Sequence, residues 1–146
     1  MQEQAHSDYL QAFRGSFTSA LRWHHLDVLW QRLRETPEGW YVYAIGVKPP
    51  AETLSAADFL SFLEGVDKLL REEHEEDYCG IVYADDLKAP TMIKIYDPHN
   101  LGVVCGFSEN PPLPGWVLSH MPPVDLQSDR LLPNNRKRWW RRLFGQ

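Results

Sequence analysis

The chain has 146 residues, of which 43% are hydrophobic and 24% charged, and this balance excludes a disordered or fibrous polypeptide. Its length suits one globular domain, and no apolar run approaches the roughly 20 residues that span a bilayer. The formal net charge is −5, and the two cysteines form no Cys-x-x-Cys pair, so we expect a cytoplasmic protein without a signal peptide or a disulfide framework.

The first main helix is predicted from Ser16 to about Glu35, where the sequence Thr-Pro-Glu-Gly ends it. Residues 1–15, which precede it, are polar and are expected to be frayed or weakly helical. The helix has one apolar stripe with side chains three or four positions apart, formed by Trp23, Leu26, Trp30 and Leu33. This stripe predicts that the helix packs on a hydrophobic core.

The second main helix begins after Ser55, a good N-cap with Asp58 three positions further on. Its apolar residues from Phe59 to Leu70 repeat at helical spacing. The acidic run at residues 72–77 is expected to be its solvated end, because consecutive helical residues point around the whole circle and do not converge on a metal ion. This run is also a candidate docking surface for a basic partner.

Five strands are predicted, at residues 40–47, 79–84, 92–96, 103–107 and 116–121. The first strand is apolar on both faces, which is typical of a central strand, and the helix between the first two strands allows a parallel, right-handed crossover. The later strands should form an antiparallel meander. The sequence therefore predicts an α+β fold: a two-layer domain with two main helices on a five-stranded, mostly antiparallel sheet, in the order α-β-α-β-β-β-β.

Charge divides the chain into two parts. Residues 1–128 hold nine Lys and Arg against nineteen Asp and Glu, a net charge of −10, and are interpreted as a single domain. Residues 129–146, called the basic segment below, hold six Lys and Arg against one Asp, a net charge of +5. An acidic body with a basic end is typical of a globular domain that carries a charged interaction tail.

The basic segment has the composition of a short amphipathic helix. As a helix it would place its apolar side chains within an arc of about 140° and its cations on the other side. The candidate partner-binding residues are Arg136, Lys137, Arg138, Trp139, Trp140, Arg141, Arg142, Leu143 and Phe144. Arginines beside paired tryptophans predict binding to an anionic membrane, peripherally, or to an acidic protein surface.

The sequence also leaves three other interactions open. The tail can dock on its own domain, with its arginines on the acidic helix end. It can also bind nucleic acid, through arginines on phosphates and tryptophans on bases, although the acidic body argues against this. Association into a homo-oligomer is the third interaction.

The alternative hypothesis is a small enzyme that uses Cys105 as nucleophile and His120 as base, because both are predicted on strands expected to be neighbours. Asp85 and Asp97 follow predicted strands and are candidate loop carboxylates for the same site. Asp is also favoured at such positions by turn chemistry alone. Cys79 is expected to be a small buried hydrophobe.

A third hypothesis is a small-molecule binder that uses Tyr41 and Tyr43, which share one face of the first strand. No phosphate-binding or metal-binding motif occurs in the chain, so no cofactor and no metal are predicted. His24 and Asp27 lie three apart, where a helix-surface hydrogen bond is the expected role. The sequence as a whole favours a non-catalytic accessory domain over an enzyme.

Overall fold

The computed structural model describes residues 2–74, 79–98 and 113–126. The helices among them are α1 (Gln2–Phe13), α2 (Trp23–Glu35) and α3 (Ala56–Glu73). The strands are β1 (Thr18–Ser19), β2 (Tyr41–Ala44), β3 (Val82–Ala84), β4 (Met92–Ile95) and β5 (Trp116–Ser119). The predicted α+β fold is confirmed, with three helices on a five-stranded antiparallel sheet. The strand predicted at residues 103–107 lies outside the described residues.

The described strands form one sheet in the order β1-β3-β4-β5-β2, and every neighbouring pair is antiparallel. The predicted meander is present, because β3, β4 and β5 lie side by side in chain order. The predicted parallel crossover from β2 to β3 is wrong. The chain after β2 passes through α3 and enters the sheet three positions away, with β5 and β4 in between, so β2 pairs with β5 at the end of this strand order.

Helix α2 begins at Trp23, seven residues later than the sequence predicts. Thr18 and Ser19 are extended instead and pair with β3, and the backbone N–H of Ala20 donates to the carbonyl of Val82 at 2.8 Å. Pairing with an existing strand satisfies these backbone groups as well as a further helical turn would. Helix α3 follows the prediction closely, and its Asp58 N–H donates to Ser55 Oγ at 3.1 Å.

The sheet is covered on both faces. On the first face, α2 and α3 pack on alternate strand residues, among them Val42, Ile93 and Leu118, to form the larger hydrophobic core. On the second face, a smaller core joins Tyr9 of α1 to Tyr43 and Val117. Strand β2 is thus apolar on both faces although it ends the strand order, which corrects the prediction of a central strand.

Helix α1 is well formed, in contrast to the frayed segment expected from its polar sequence. Tyr9 is fully buried on the second face, and Phe13 packs beside it. The Lys94 ammonium lies 4.2 Å from the ring centre of Phe13 and 3.9 Å from that of Phe17, a double cation–π contact. Packing against the sheet therefore stabilises a helix that would be marginal alone.

Candidate functional site

Two of the predicted site residues, His120 and Asp85, lie at the same end of the sheet. His120 follows β5, and its backbone N–H donates to the carbonyl of Thr91 at 3.3 Å. Asp85 follows β3 and accepts hydrogen bonds from the Thr91 backbone N–H at 2.9 Å and from the Thr91 hydroxyl. Thr91, which directly precedes β4, thus joins the two residues.

The His120 ring is held in one orientation. Its Nδ1–H donates to the carbonyl of Gly39 at 2.8 Å, and the ring centre lies 3.8 Å from that of Trp40. In the neutral imidazole this bond leaves Nε2 as the acceptor. Gly39 has φ of +83°, a conformation that side-chain-bearing residues rarely adopt, and a Cβ there would lie 3.5 Å from His120 Nδ1.

The Asp85 carboxylate organises the loop between β3 and β4. Besides Thr91, its Oδ1 accepts from the backbone N–H groups of Asp86 at 2.9 Å and Met92 at 3.1 Å. Asp86 acts in the same way, since its Oδ1 accepts from the N–H groups of Lys88 and Ala89. These bonds are the turn chemistry that Asp provides in loops, and they give Asp85 a structural role here.

Replacing Asp85 by Ala is expected to lower the free energy of unfolding by about 2 kcal/mol, because several amides lose a charged acceptor together. Urea unfolding followed by far-UV circular dichroism measures this loss. Asp85→Asn should lose less, since it retains one acceptor oxygen. Asp86→Ala is the control, with a smaller loss because Asp86 is exposed. Equal losses for Asp85→Ala and Asp86→Ala would contradict the assignment.

The other two enzyme candidates are Asp97 and Cys105, and of these only Asp97 is among the described residues. Asp97 is buried next to Gly115, beyond the opposite end of β4, so the length of that strand, roughly 13 Å, separates it from Thr91. Cys105 lies outside the described residues, so its pairing with His120 stays a prediction. Cys79 is fully buried, and this burial raises the pKa of its thiol, as expected for a core residue.

A groove opens beside His120 at this end of the sheet. It has a volume of about 340 Å³ and lies between the last turn of α2, the residue before β2 and the loop before β4. We call it the polar groove; its lining residues are Arg32, Leu33, Glu35, Thr36, Trp40, Lys88, Ala89, Pro90 and Thr91. The sequence predicts Leu33 in the apolar stripe of α2 and Trp40 at the start of the first strand, but nothing in it places these residues around a common groove.

The remaining candidates have structural partners. Asp27 does not pair with His24; its carboxylate binds Arg71 of α3 at 2.6 Å, and Arg71 also binds Asp67 at 2.9 Å. Asp67 accepts in turn from the indole N–H of Trp30 at 2.9 Å. This network joins α2 to α3. In the described ranges 2–74, 79–98 and 113–126, no three His, Cys, Asp or Glu side chains gather where they could hold a metal ion.

The two tyrosines of the third hypothesis are not equivalent. Tyr43 is fully buried in the second core, whereas Tyr41 is half-buried. The polar groove lies instead at the other side of the sheet, against the end of α2 and Trp40. All the candidate residues of the basic segment, and residues 75–77 of the acidic run, lie outside the described residues.

Comparison with protein-family models, with curated proteins and with solved structures gives no match for this chain. In the described part of the chain, none of the helices combines the length and the apolar character needed to cross a bilayer.

Proposed function

We propose that this chain is a non-catalytic interaction domain that docks on an anionic surface through its basic segment, residues 129–146. The observation that carries the proposal is the separation of charge along the chain, −10 up to residue 128 and +5 after it. Arginines attract anionic lipid, and paired tryptophans favour the headgroup region. An anionic membrane is therefore the partner we favour, and an acidic protein surface is the second candidate.

The chain just before the basic segment is attached to the sheet, so the segment starts from a fixed point of the domain. The backbone N–H of Leu126 donates to the Tyr43 hydroxyl at 3.2 Å, and the same tyrosine hydrogen-bonds the Asp125 side chain. Two residues connect Leu126 to the segment, a reach of at most about 10 Å. The candidate partner-binding residues begin at Arg136, ten residues beyond Leu126, so a partner that they bind can lie up to about 35 Å from this attachment point.

The candidate residues of the enzyme hypothesis also support this function over catalysis. Asp85 is hydrogen-bonded to loop amides, and the Nδ1 of His120 to the Gly39 carbonyl. Asp97 lies at the other end of β4. Asp85 and His120 therefore have roles in the fold, and Asp97 lies away from both of them.

Deleting residues 134–146 is expected to leave the thermal unfolding midpoint nearly unchanged and to abolish co-sedimentation with vesicles that contain phosphatidylserine. The reason is that the deletion removes five of the six cations of the basic segment and its aromatic residues. Vesicles of phosphatidylcholine alone are the control for charge. A large fall in the unfolding midpoint would contradict the proposal, because the segment would then belong to the fold.

A charge variant tests the same segment without shortening it. Replacing its five clustered cations by Gln is expected to weaken vesicle binding roughly several thousandfold, at about 1 kcal/mol for each cation. These residues are Arg136, Lys137, Arg138, Arg141 and Arg142. The matched control replaces five exposed cations of the body by Gln, namely Arg14, Arg22, Arg34, Lys48 and Lys68. Similar losses in both variants would overturn the proposal, because binding would then follow net charge alone.

A further inference from the structure

The polar groove carries a second, independent inference, which concerns a small ligand and not the docking partner. Its floor is closely packed, and the side chains beneath it offer a ligand almost no apolar surface. Leu33 and Trp40 are each 1% exposed, and the Trp40 ring stacks on Phe59 with centres 5.6 Å apart and planes 3° apart. The indole N–H of Trp40 donates to the carbonyl of Thr36 at 3.2 Å. A floor that does not rearrange lowers the entropy lost on binding.

The rim of the groove carries charges of both signs. Arg32 and Glu35 lie three residues apart in the last turn of α2, and Lys88 stands on the opposite wall. All three are exposed, and in the described part of the chain none of them makes an ion pair. The carbonyl end of α2 adds partial negative charge near Glu35. The groove thus presents two cations and one negative region around a closely packed floor.

This arrangement is complementary to a small molecule that has a carboxylate and an ammonium. Arg32 can bind a carboxylate in bidentate fashion and Lys88 can add a point charge. Glu35 and the end of α2 suit the ammonium. A volume of about 340 Å³ holds a ligand of this size.

We infer that the polar groove binds a small zwitterion of the α-amino acid class, with its carboxylate toward Arg32 and Lys88 and its ammonium toward Glu35. Thr91 does not provide the recognition, because its hydroxyl donates to Asp85. The inference does not depend on the basic segment, so it stands if the docking proposal fails.

Titration of the full-length, ¹⁵N-labelled chain with leucine tests the inference by NMR. Saturable shifts are expected at the backbone amides of Arg32, Thr36 and Lys88, with a dissociation constant on the order of 1 mM. Isopentylamine and 4-methylpentanoate each lack one charge of leucine and should bind about tenfold more weakly. Equal binding of 4-methylpentanoate and leucine would overturn the inference in favour of a simple anion site. The absence of saturable shifts with leucine would overturn it entirely.

Variants at two exposed residues of the groove rim test the same inference. Lys88→Gln and Glu35→Gln are each expected to weaken leucine binding about tenfold while the unfolding midpoint stays unchanged. Lys68→Gln is the matched control, since Lys68 is an exposed lysine of α3 that does not line the groove. An equal loss in Lys68→Gln, or full binding in both rim variants, would overturn the inference.

Discussion

Replacing Trp40 by Ala is expected to lower the free energy of unfolding by about 3–5 kcal/mol, the range for a fully buried tryptophan. Trp40 is 1% exposed and joins three parts of the fold. Its ring stacks on Phe59 of α3, contacts His120 after β5, and donates a hydrogen bond to the Thr36 carbonyl at the end of α2. Alanine would leave a cavity at the junction of these elements and an unpaired carbonyl beside it.

Urea unfolding followed by far-UV circular dichroism measures this loss, which is large against the roughly 5–15 kcal/mol that stabilises an ordinary domain. Trp40→Phe is expected to lose less, because it retains an aromatic ring against Phe59 and removes one ring of the indole together with its N–H. Trp23→Ala is the matched control on α2. Its indole is half-buried under the Arg71 guanidinium at 4.9 Å, so its loss should be the smaller one. A loss for Trp40→Ala no greater than that for Trp23→Ala would contradict the assigned role.

The helices that pack on the first face could be predicted because their periodicity is a local property of the sequence. Phe59, Phe62 and Leu63 of α3 are all fully buried, as their spacing indicates, and the Ser55 cap is formed. The same is true of Trp30 and Leu33 in α2. In α3 the hydrophobic stripe and the start signal agree with the structure, whereas in α2 only the stripe and the end at Glu35 do, because pairing with β3 displaces its predicted start.

The sheet order could not be predicted in the same way, because strand pairing depends on contacts between distant segments. The two apolar faces of β2 indicated a central strand, but α1 and the chain up to Leu126 cover its second face while β2 stays at the end of the order. Strand β1 has only two residues and takes its conformation from β3. Such a short element leaves no alternating pattern to read.

The candidate site could be predicted only in part for the same reason, because it depends on contacts between distant segments. Asp85 was identified from its place after a predicted strand and His120 from its place on one, and both lie at one end of the sheet. The polar groove beside them was not foreseen, since Arg32, Trp40 and Lys88 come from three separate parts of the chain. Each of these residues alone looks like an ordinary surface charge or core aromatic. Only the fold places them around one cavity.

Raising the pH above about 10 is expected to destabilise the fold steeply, because buried phenols must ionise. Burial raises the pKa of Tyr9, and the nearby Tyr43 raises it further. Burial likewise raises the pKa of Tyr43 and Tyr96 above 10.0, and that of Cys79 above 9.0. The folded chain thus binds these protons more tightly than the unfolded chain does.

The sign of the effect follows from proton linkage. The stabilisation is complete below the unfolded pKa values and is lost as the pH rises toward the folded ones, by up to about 1.4 kcal/mol per pH unit for each group. The loss begins near pH 9 for Cys79 and near pH 10 for the tyrosines. Lys94 acts in the opposite direction below pH 10.5, because burial lowers the pKa of its ammonium. The net fall should therefore steepen above that pH.

Urea unfolding between about pH 8 and pH 11 measures this slope. Tyr9→Phe is expected to reduce the fall in the free energy of unfolding with pH by the contribution of one phenol, because phenylalanine releases no proton on unfolding. Tyr43→Phe should reduce this fall as well, with an additional loss of about 1 kcal/mol at neutral pH, because Leu126 N–H loses its acceptor. Slopes in both variants equal to that of the unmodified chain would show that groups other than these two phenols of the second core control the alkaline transition.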